Sequence, residues 1–202
     1  MSRAAIFKNI EAATAAVKTK SAYPDYAAAI THSAPKLAGS DRLEIFSRNL
    51  AAVNGRTMHA VAELLEFLTA SGQRHGYCDP VLYERVGAPL VAAGLTVETE
   101  YDRTRYDDYQ FGITRASGAI AESGTLILDD HRTSRRLAAL SPWVHVAVLE
   151  RAEIHLTIAD ALAVLGDSPN IIWVTGPSKT ADVEGILIEG VHGPGEQIAL
   201  VL

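Results

Sequence analysis

A single cysteine, Cys78, is all the thiol chemistry the 202-residue chain has. One thiol excludes an internal disulfide, and it cannot hold an iron–sulfur cluster, which takes about four thiolates. A protein-bound Fe–S role is therefore out, and no cofactor is assigned to the chain. Basic charge is also short: 18 Lys and Arg against 24 Asp and Glu give a net charge of −6, with the basic residues scattered. The cationic footprint of a nucleic-acid binder is missing, so no nucleic acid is expected, and small molecules or proteins are the partners left. No apolar run approaches the roughly 18 residues of a membrane-spanning helix. The alanine-rich start, broken by Lys8, Glu11 and Lys18, contains no apolar segment of the roughly seven residues that an export signal needs. A cytoplasmic protein is the expectation. Gly-x-Gly-x-x-Gly after a strand, Gly-x-Ser-x-Gly and His-Glu-x-x-His are all absent. Their absence removes the Rossmann dinucleotide site, the simplest serine hydrolase and a dedicated zinc site, so no metal ligands are assigned.

What is present is ordinary globular material, 48% apolar and 21% charged, enough for one compact domain with an extension. The spacing of apolar residues predicts helices over Met1–Lys20, over the stretch from Ser40-Asp41 to Val53, and over Ala62–Ala70. Beyond them short apolar runs alternate with helical ones. Strands are expected at Thr57–Val61, Leu95–Tyr101, Gly124–Leu128, Trp143–Leu149, Ile171–Thr175, Gly185–Glu189 and Gln197–Leu202, with helices at Ser134–Leu140 and Ile158–Leu165. This alternation points to an α/β fold of three layers, a mostly parallel open sheet covered on both faces, preceded by a helical extension over residues 1–55. Ligands of such sheets bind beyond the carboxyl ends of the strands.

Three loops carry the candidate chemistry. Gly112 to Leu126 packs Gly112, Thr114, Arg115, Ser117, Gly118, Glu122, Ser123, Gly124 and Thr125 ahead of an apolar run. Glycine amides and short hydroxyls can cradle a phosphate or carboxylate, and a half-buried Glu122 would suit acid/base or nucleophilic work. The competing reading has the glycines making tight turns, with Glu122 pairing with Arg115 or accepting backbone amides. A second loop, Thr175-Gly176-Pro177-Ser178-Lys179-Thr180, imitates a P-loop ending but has Ser178 and Trp173 where that motif needs glycine. What survives is a strand, a turn, and Ser178 or Thr180 capping a helix whose first turn holds Asp182 and Glu184. The third, Gly190-Val191-His192-Gly193-Pro194-Gly195, offers His192 as an accessible acid/base group, or only a surface turn. Tyr101 to Tyr109 reads as a solvated loop in which Arg103 or Arg105 can reach an anion. Trp143 and Trp173 read as core.

Taken together and in order, Gly112-Ile113-Thr114, Ala119-Ile120-Ala121-Glu122-Ser123-Gly124-Thr125, Thr175-Gly176-Pro177-Ser178 with Thr180, Asp182 and Glu184, and Gly190-Val191-His192-Gly193-Pro194 resemble the LUD domain family. The likeness runs over roughly Arg56–Leu202, the expected α/β domain, with Ser123 where the family usually has Thr. The resemblance implies the fold of the glucosamine-6-phosphate deaminase, ribose-5-phosphate isomerase and CoA-transferase group. It also implies a role in oxidising L-lactate to pyruvate alongside two partner proteins, at least one of which carries Fe–S clusters. With no complete catalytic constellation in the chain, an accessory component that binds a small anion between the two loops is the expectation. The alternative it leaves open is an enzyme like a CoA-transferase or a sugar-phosphate isomerase, with Glu122 as nucleophile or base and His192 as its partner.

Overall fold

The computed structural model describes residues 2–17, 37, 39, 41–133, 135–181 and 187–202. The chain forms two compact units, residues 1–31 and 32–202. Within the first, helix α1 (Arg3–Thr14) starts where the Ser2 hydroxyl accepts the Ala5 amide, and none of its residues is buried. Every other element belongs to the second unit.

There, α2 (Arg42–Ala52) begins at Asp41, whose carboxylate accepts the Leu43 amide at 3.1 Å, a side-chain cap of the kind worth about 1 kcal/mol. Next come β1 (Arg56–Met58), α3 (Val61–Ala70), β2 (His75–Cys78), α4 (Ala88–Ala92), β3 (Thr96–Glu98), β4 (Phe111–Arg115), β5 (Gly118–Ile120) and β6 (Thr125–Asp129). The chain continues through α5 (Arg136–Leu140), β7 (Val144–Leu149), β8 (Ile154–His155), α6 (Ile158–Val164), β9 (Ile171–Val174), β10 (Lys179–Ala181), β11 (Leu187–Glu189) and β12 (Glu196–Val201).

The main sheet has the order β1-β12-β7-β4-β2-β3, with every neighbour parallel. A smaller mixed sheet runs β8-β5-β6-β9, and β10 and β11 form an antiparallel ribbon. Alternation along the central strands divides the core in two. Phe111, Ile113, Val144, Val146, Val148, Ile198 and Leu200 pack with Leu64 and Leu68 of α3 and Leu90 of α4. Ala147, Leu149, Ala199 and Val201 pack with Ile45, Phe46 and Leu50 of α2 and with Leu126 and Leu128 of the smaller sheet. The expected mostly parallel α/β architecture is the one that forms.

Differences from the sequence reading have local causes. Helix α2, assigned there to the 1–55 extension, lies in the second unit and supplies three of its buried apolar side chains. Strand β4 was hidden by its glycine. A Cβ on Gly112 would overlap the carbonyl oxygen of Ala138, so the residue is there for the close approach of α5 and not to form a loop. Residues 179–181 are a strand, so Ser178 and Thr180 cap no helix. The ribbon is closed by the Gly190 amide donating to the Ser178 carbonyl at 2.9 Å. Trp143 and Trp173 are 50% and 38% exposed, not core. The Trp143 ring instead lies against Gly190 and Gly195, where side chains would collide with it. Among the described residues no helix is long and apolar enough to cross a membrane.

Candidate functional site

The loop residues singled out in the sequence fall into separate places. Thr114 is buried inside the main sheet, where its hydroxyl is bonded to His145 Nε2 at 2.9 Å. On the other side of the ring, His145 Nδ1 lies 2.9 Å from Gln197 Oε1. A carbonyl oxygen can only accept, so Nδ1 carries the proton and Nε2 accepts from Thr114. Burial pushes the His145 pKa down to about 4, which keeps the ring neutral. This chain of side chains ties together β4, β7 and β12 and is closed to ligands.

Glu122 is 8% exposed and sits in the turn between β5 and β6. One of its oxygens accepts the Ile158 amide at 2.9 Å, and the other is buried without a partner. It therefore accepts a backbone amide, as the plainer reading had it, and Arg115 pairs elsewhere. Beside it, Ser123, Thr125 and Thr175 form a hydroxyl chain with links of 2.7 and 2.8 Å. Gly124 turns with φ +64° directly beneath the backbone of Asn49 and Leu50, where a Cβ has no room, and Gly176 lies under the Val53 carbonyl. Gly124 and Gly176 are thus covered by the carboxyl end of α2. Ser178 packs against Gly193 and donates its amide to Pro194. His192 is exposed on that turn, and among the described residues no hydrogen bond or ion pair joins it to Glu122. Asp182 and Glu184 lie outside the described residues.

A crevice lies elsewhere, at the point where the winding of the main sheet reverses. From β2 the chain crosses to β3 on one side, and its next strand in this sheet, β4, enters on the other. Open α/β sheets bind ligands outside the carboxyl ends of the strands at such a reversal. Just past β2, Asp79 is almost wholly buried and accepts Arg115 Nε from the end of β4 at 3.0 Å, and the Val81 amide at 2.9 Å. The Arg115 carbonyl in turn accepts the Thr133 hydroxyl at 2.9 Å. Thr133 also lines a cavity of about 580 Å³, together with Tyr101, Arg103, Asp130, Arg135, Arg136, Leu137 and Leu140. A neighbouring cavity of about 620 Å³ shares Tyr101 and Arg135 and adds Tyr77, Pro80, Thr99 and Glu100.

Tyr101 is held in place by Tyr109, stacked at 4.7 Å, by Tyr77 edge-on at 5.6 Å, and by a 2.7 Å bond to Ser141 Oγ. Burial raises its phenol pKa, so the hydroxyl stays protonated. Of the two arginines expected to reach an anion, Arg105 is committed to Glu98 and Asp102, whereas Arg103 lines the crevice. Sequence reasoning missed Asp79, Thr133, Arg135 and Arg136. The one available signal was that Thr133, Arg135 and Arg136 follow the expected strand Gly124–Leu128; no strand was expected ahead of Asp79.

Comparison with known proteins agrees with this topology. The family model of the LUD domain matches residues 82–202. The chain belongs to the LUD domain family. Lactate utilization protein C of Deinococcus radiodurans is 32% identical over 118 residues, 54% of this chain and 55% of that protein. The protein of the same name in Bacillus licheniformis is 33% identical over 106 residues, 48% of this chain and 44% of that one. The LUD chain thus spans about half the length of the curated relatives it matches. A solved structure of a DUF162 family protein from Deinococcus radiodurans superposes with a TM-score of 0.57, covering 81% of this chain and 99% of that one at 24% identity. That likeness is one of fold. The LUD model takes in Arg103, Thr133, Arg135 and Arg136, so the whole cationic wall of the crevice lies within the matched region.

Proposed function

We propose that this LUD domain serves lactate utilization as an accessory component of an L-lactate oxidation system, binding a small anion and docking on Fe–S partner proteins. Kinship with proteins named lactate utilization protein C supports the setting. The observation that carries the accessory reading is the make-up of the strand-end crevice. Its polar groups are guanidiniums, a bonded phenol, a bonded hydroxyl and an aspartate already paired with Arg136 at 2.9 Å. Within this cavity these groups bind but include no free nucleophile or base; the carboxylate of the adjoining cavity, Glu100, lies outside its lining. The alternative enzyme needs Glu122 to reach a substrate, and Glu122 is buried, engaged with Ile158 and absent from the crevice.

The test is genetic and biochemical together. A strain lacking the gene should grow poorly on L-lactate and normally on pyruvate, and tagged protein from lactate-grown cells should copurify iron-containing proteins. Normal growth on L-lactate with no iron in the eluate would overturn the proposal.

A further inference from the structure

We infer that the strand-end crevice is a receptor for an organic dianion, a ligand with two negative charges and a carbon body larger than a three-carbon acid. The inference rests on the small-anion part of the proposal above and is independent of the lactate setting.

Charge is the first argument. In a chain of net charge −6, several guanidiniums away from this crevice meet carboxylates, Arg56 with Glu196, Arg85 with Glu150 and Arg151 with Asp41, while others such as Arg3 and Arg74 stand singly and not as a cluster around one cavity. In the main cavity, three guanidiniums face a single carboxylate, Asp130, which is taken by Arg136. Among the described residues, Arg103 and Arg135 make no ion pair, and Glu100, which lines the adjoining cavity that Arg135 shares, is bonded to neither, so both guanidiniums are free to meet a ligand. A guanidinium fork can pair two N–H donors with two oxygens of a carboxylate or a phosphate.

Shape is the second argument. Leu137 and Leu140 are both more than a third exposed and, with the Tyr101 ring, make an apolar wall beside the arginines. A cavity of about 580 Å³ is in the range that encloses cofactor-sized or drug-sized ligands. A dicarboxylate or a phosphate monoester with an apolar body satisfies both the charge and the wall, whereas a small monoanion leaves one guanidinium and the leucines uncovered.

The experiment is calorimetric titration of the full chain with phthalate, phenyl phosphate, benzoate and L-lactate. At least one of the two dianions should bind about tenfold more tightly than benzoate. Binding of phthalate alone marks the dicarboxylate, and binding of phenyl phosphate alone marks the phosphate ester. Arg103→Ala and Arg135→Ala should each weaken that dianion by about tenfold without lowering the melting temperature, since both side chains are exposed. Arg74→Ala, at the amino end of β2, should change nothing. Equal binding of all four ligands, no binding of either dianion, or full dianion affinity in the Arg103/Arg135 double variant overturns the inference. Poor growth on L-lactate without dianion binding would leave the lactate role standing and remove this site. Dianion binding with normal growth would do the reverse.

Discussion

Gly112 shows how a residue chosen for packing can pass for one chosen for binding. Its neighbours in β4 are buried, and the α5 backbone passes so close that the Ala138 carbonyl occupies the place of a side chain. Gly112→Ala should therefore cost about 3 kcal/mol through overpacking, read as a lower urea midpoint at unchanged slope. Glu122 makes the complementary case. Glu122→Ala leaves the Ile158 amide without its acceptor and should cost about 1–3 kcal/mol, while Glu122→Gln, which keeps an acceptor oxygen, should recover most of that loss in the same melt. A carboxylate needed for chemistry would show the opposite sorting, with Gln as damaging to activity as Ala. Cys78 is buried at the end of β2, and burial pushes its thiol up to about 12. Thiolate is the reactive form, so the folded chain should leave a disulfide reagent such as dithionitrobenzoate uncleaved at pH 8 and react with one equivalent only after denaturation.

At the scale of elements, the polar line Thr114–His145–Gln197 joins three adjacent parallel strands, and its central ring is neutral. A folded-state pKa of about 4 against 6.5 when unfolded means that the unfolded chain takes up the proton first as pH falls. Stability from this residue is complete above pH 6.5 and is lost progressively between pH 6.5 and 4, by about 3 kcal/mol in total. Chemical denaturation at pH 7, 5.5 and 4.5 should follow that decline, and the His145 ring resonances should stay fixed from pH 8 to 5. The sequence reading could not see this line. Its three members are far apart along the chain, and only the register that sets Gly112 and Gln197 opposite His145 brings them together. Long apolar runs such as Val144–Leu149 announced their strands, because fully buried parallel strands read as continuous hydrophobic stretches. Strands β2 and β4 did not, since glycines at 76 and 112 interrupt them where a neighbour presses close. Short polar Lys179–Ala181 read as a helix start because Ser and Thr before acidic residues serve caps and turns alike.

For the molecule as a whole, the division of labour between the faces of the main sheet explains why some site residues were legible and others were not. The motif glycines and hydroxyls stand out in sequence because α2 and α5 crowd onto one face, and small residues are what that crowding demands. The crevice arginines carry no spacing signal, because the reversal of winding between β2 and β4 gathers Arg103 from one crossover and Arg135 and Arg136 from another. The same view predicts where the chain can be cut. Among the described residues, every buried apolar side chain lies at or beyond Ile45, so a fragment of residues 32–202 keeps its core and should unfold in one cooperative transition. A fragment of 56–202, which begins where the sequence placed the α/β domain, loses Ile45, Phe46 and Leu50, all 2% exposed or less. Deleting large buried side chains costs about 2–5 kcal/mol each, and the three together match or exceed the roughly 5–15 kcal/mol by which a domain is stable. It also uncovers Leu126, Leu128 and the Gly124 turn, which pack against that helix. The shorter fragment should therefore lack a thermal transition and bind a hydrophobic dye such as anilinonaphthalene sulfonate. A sharp melt from residues 56–202 would show that α2 is dispensable to the core.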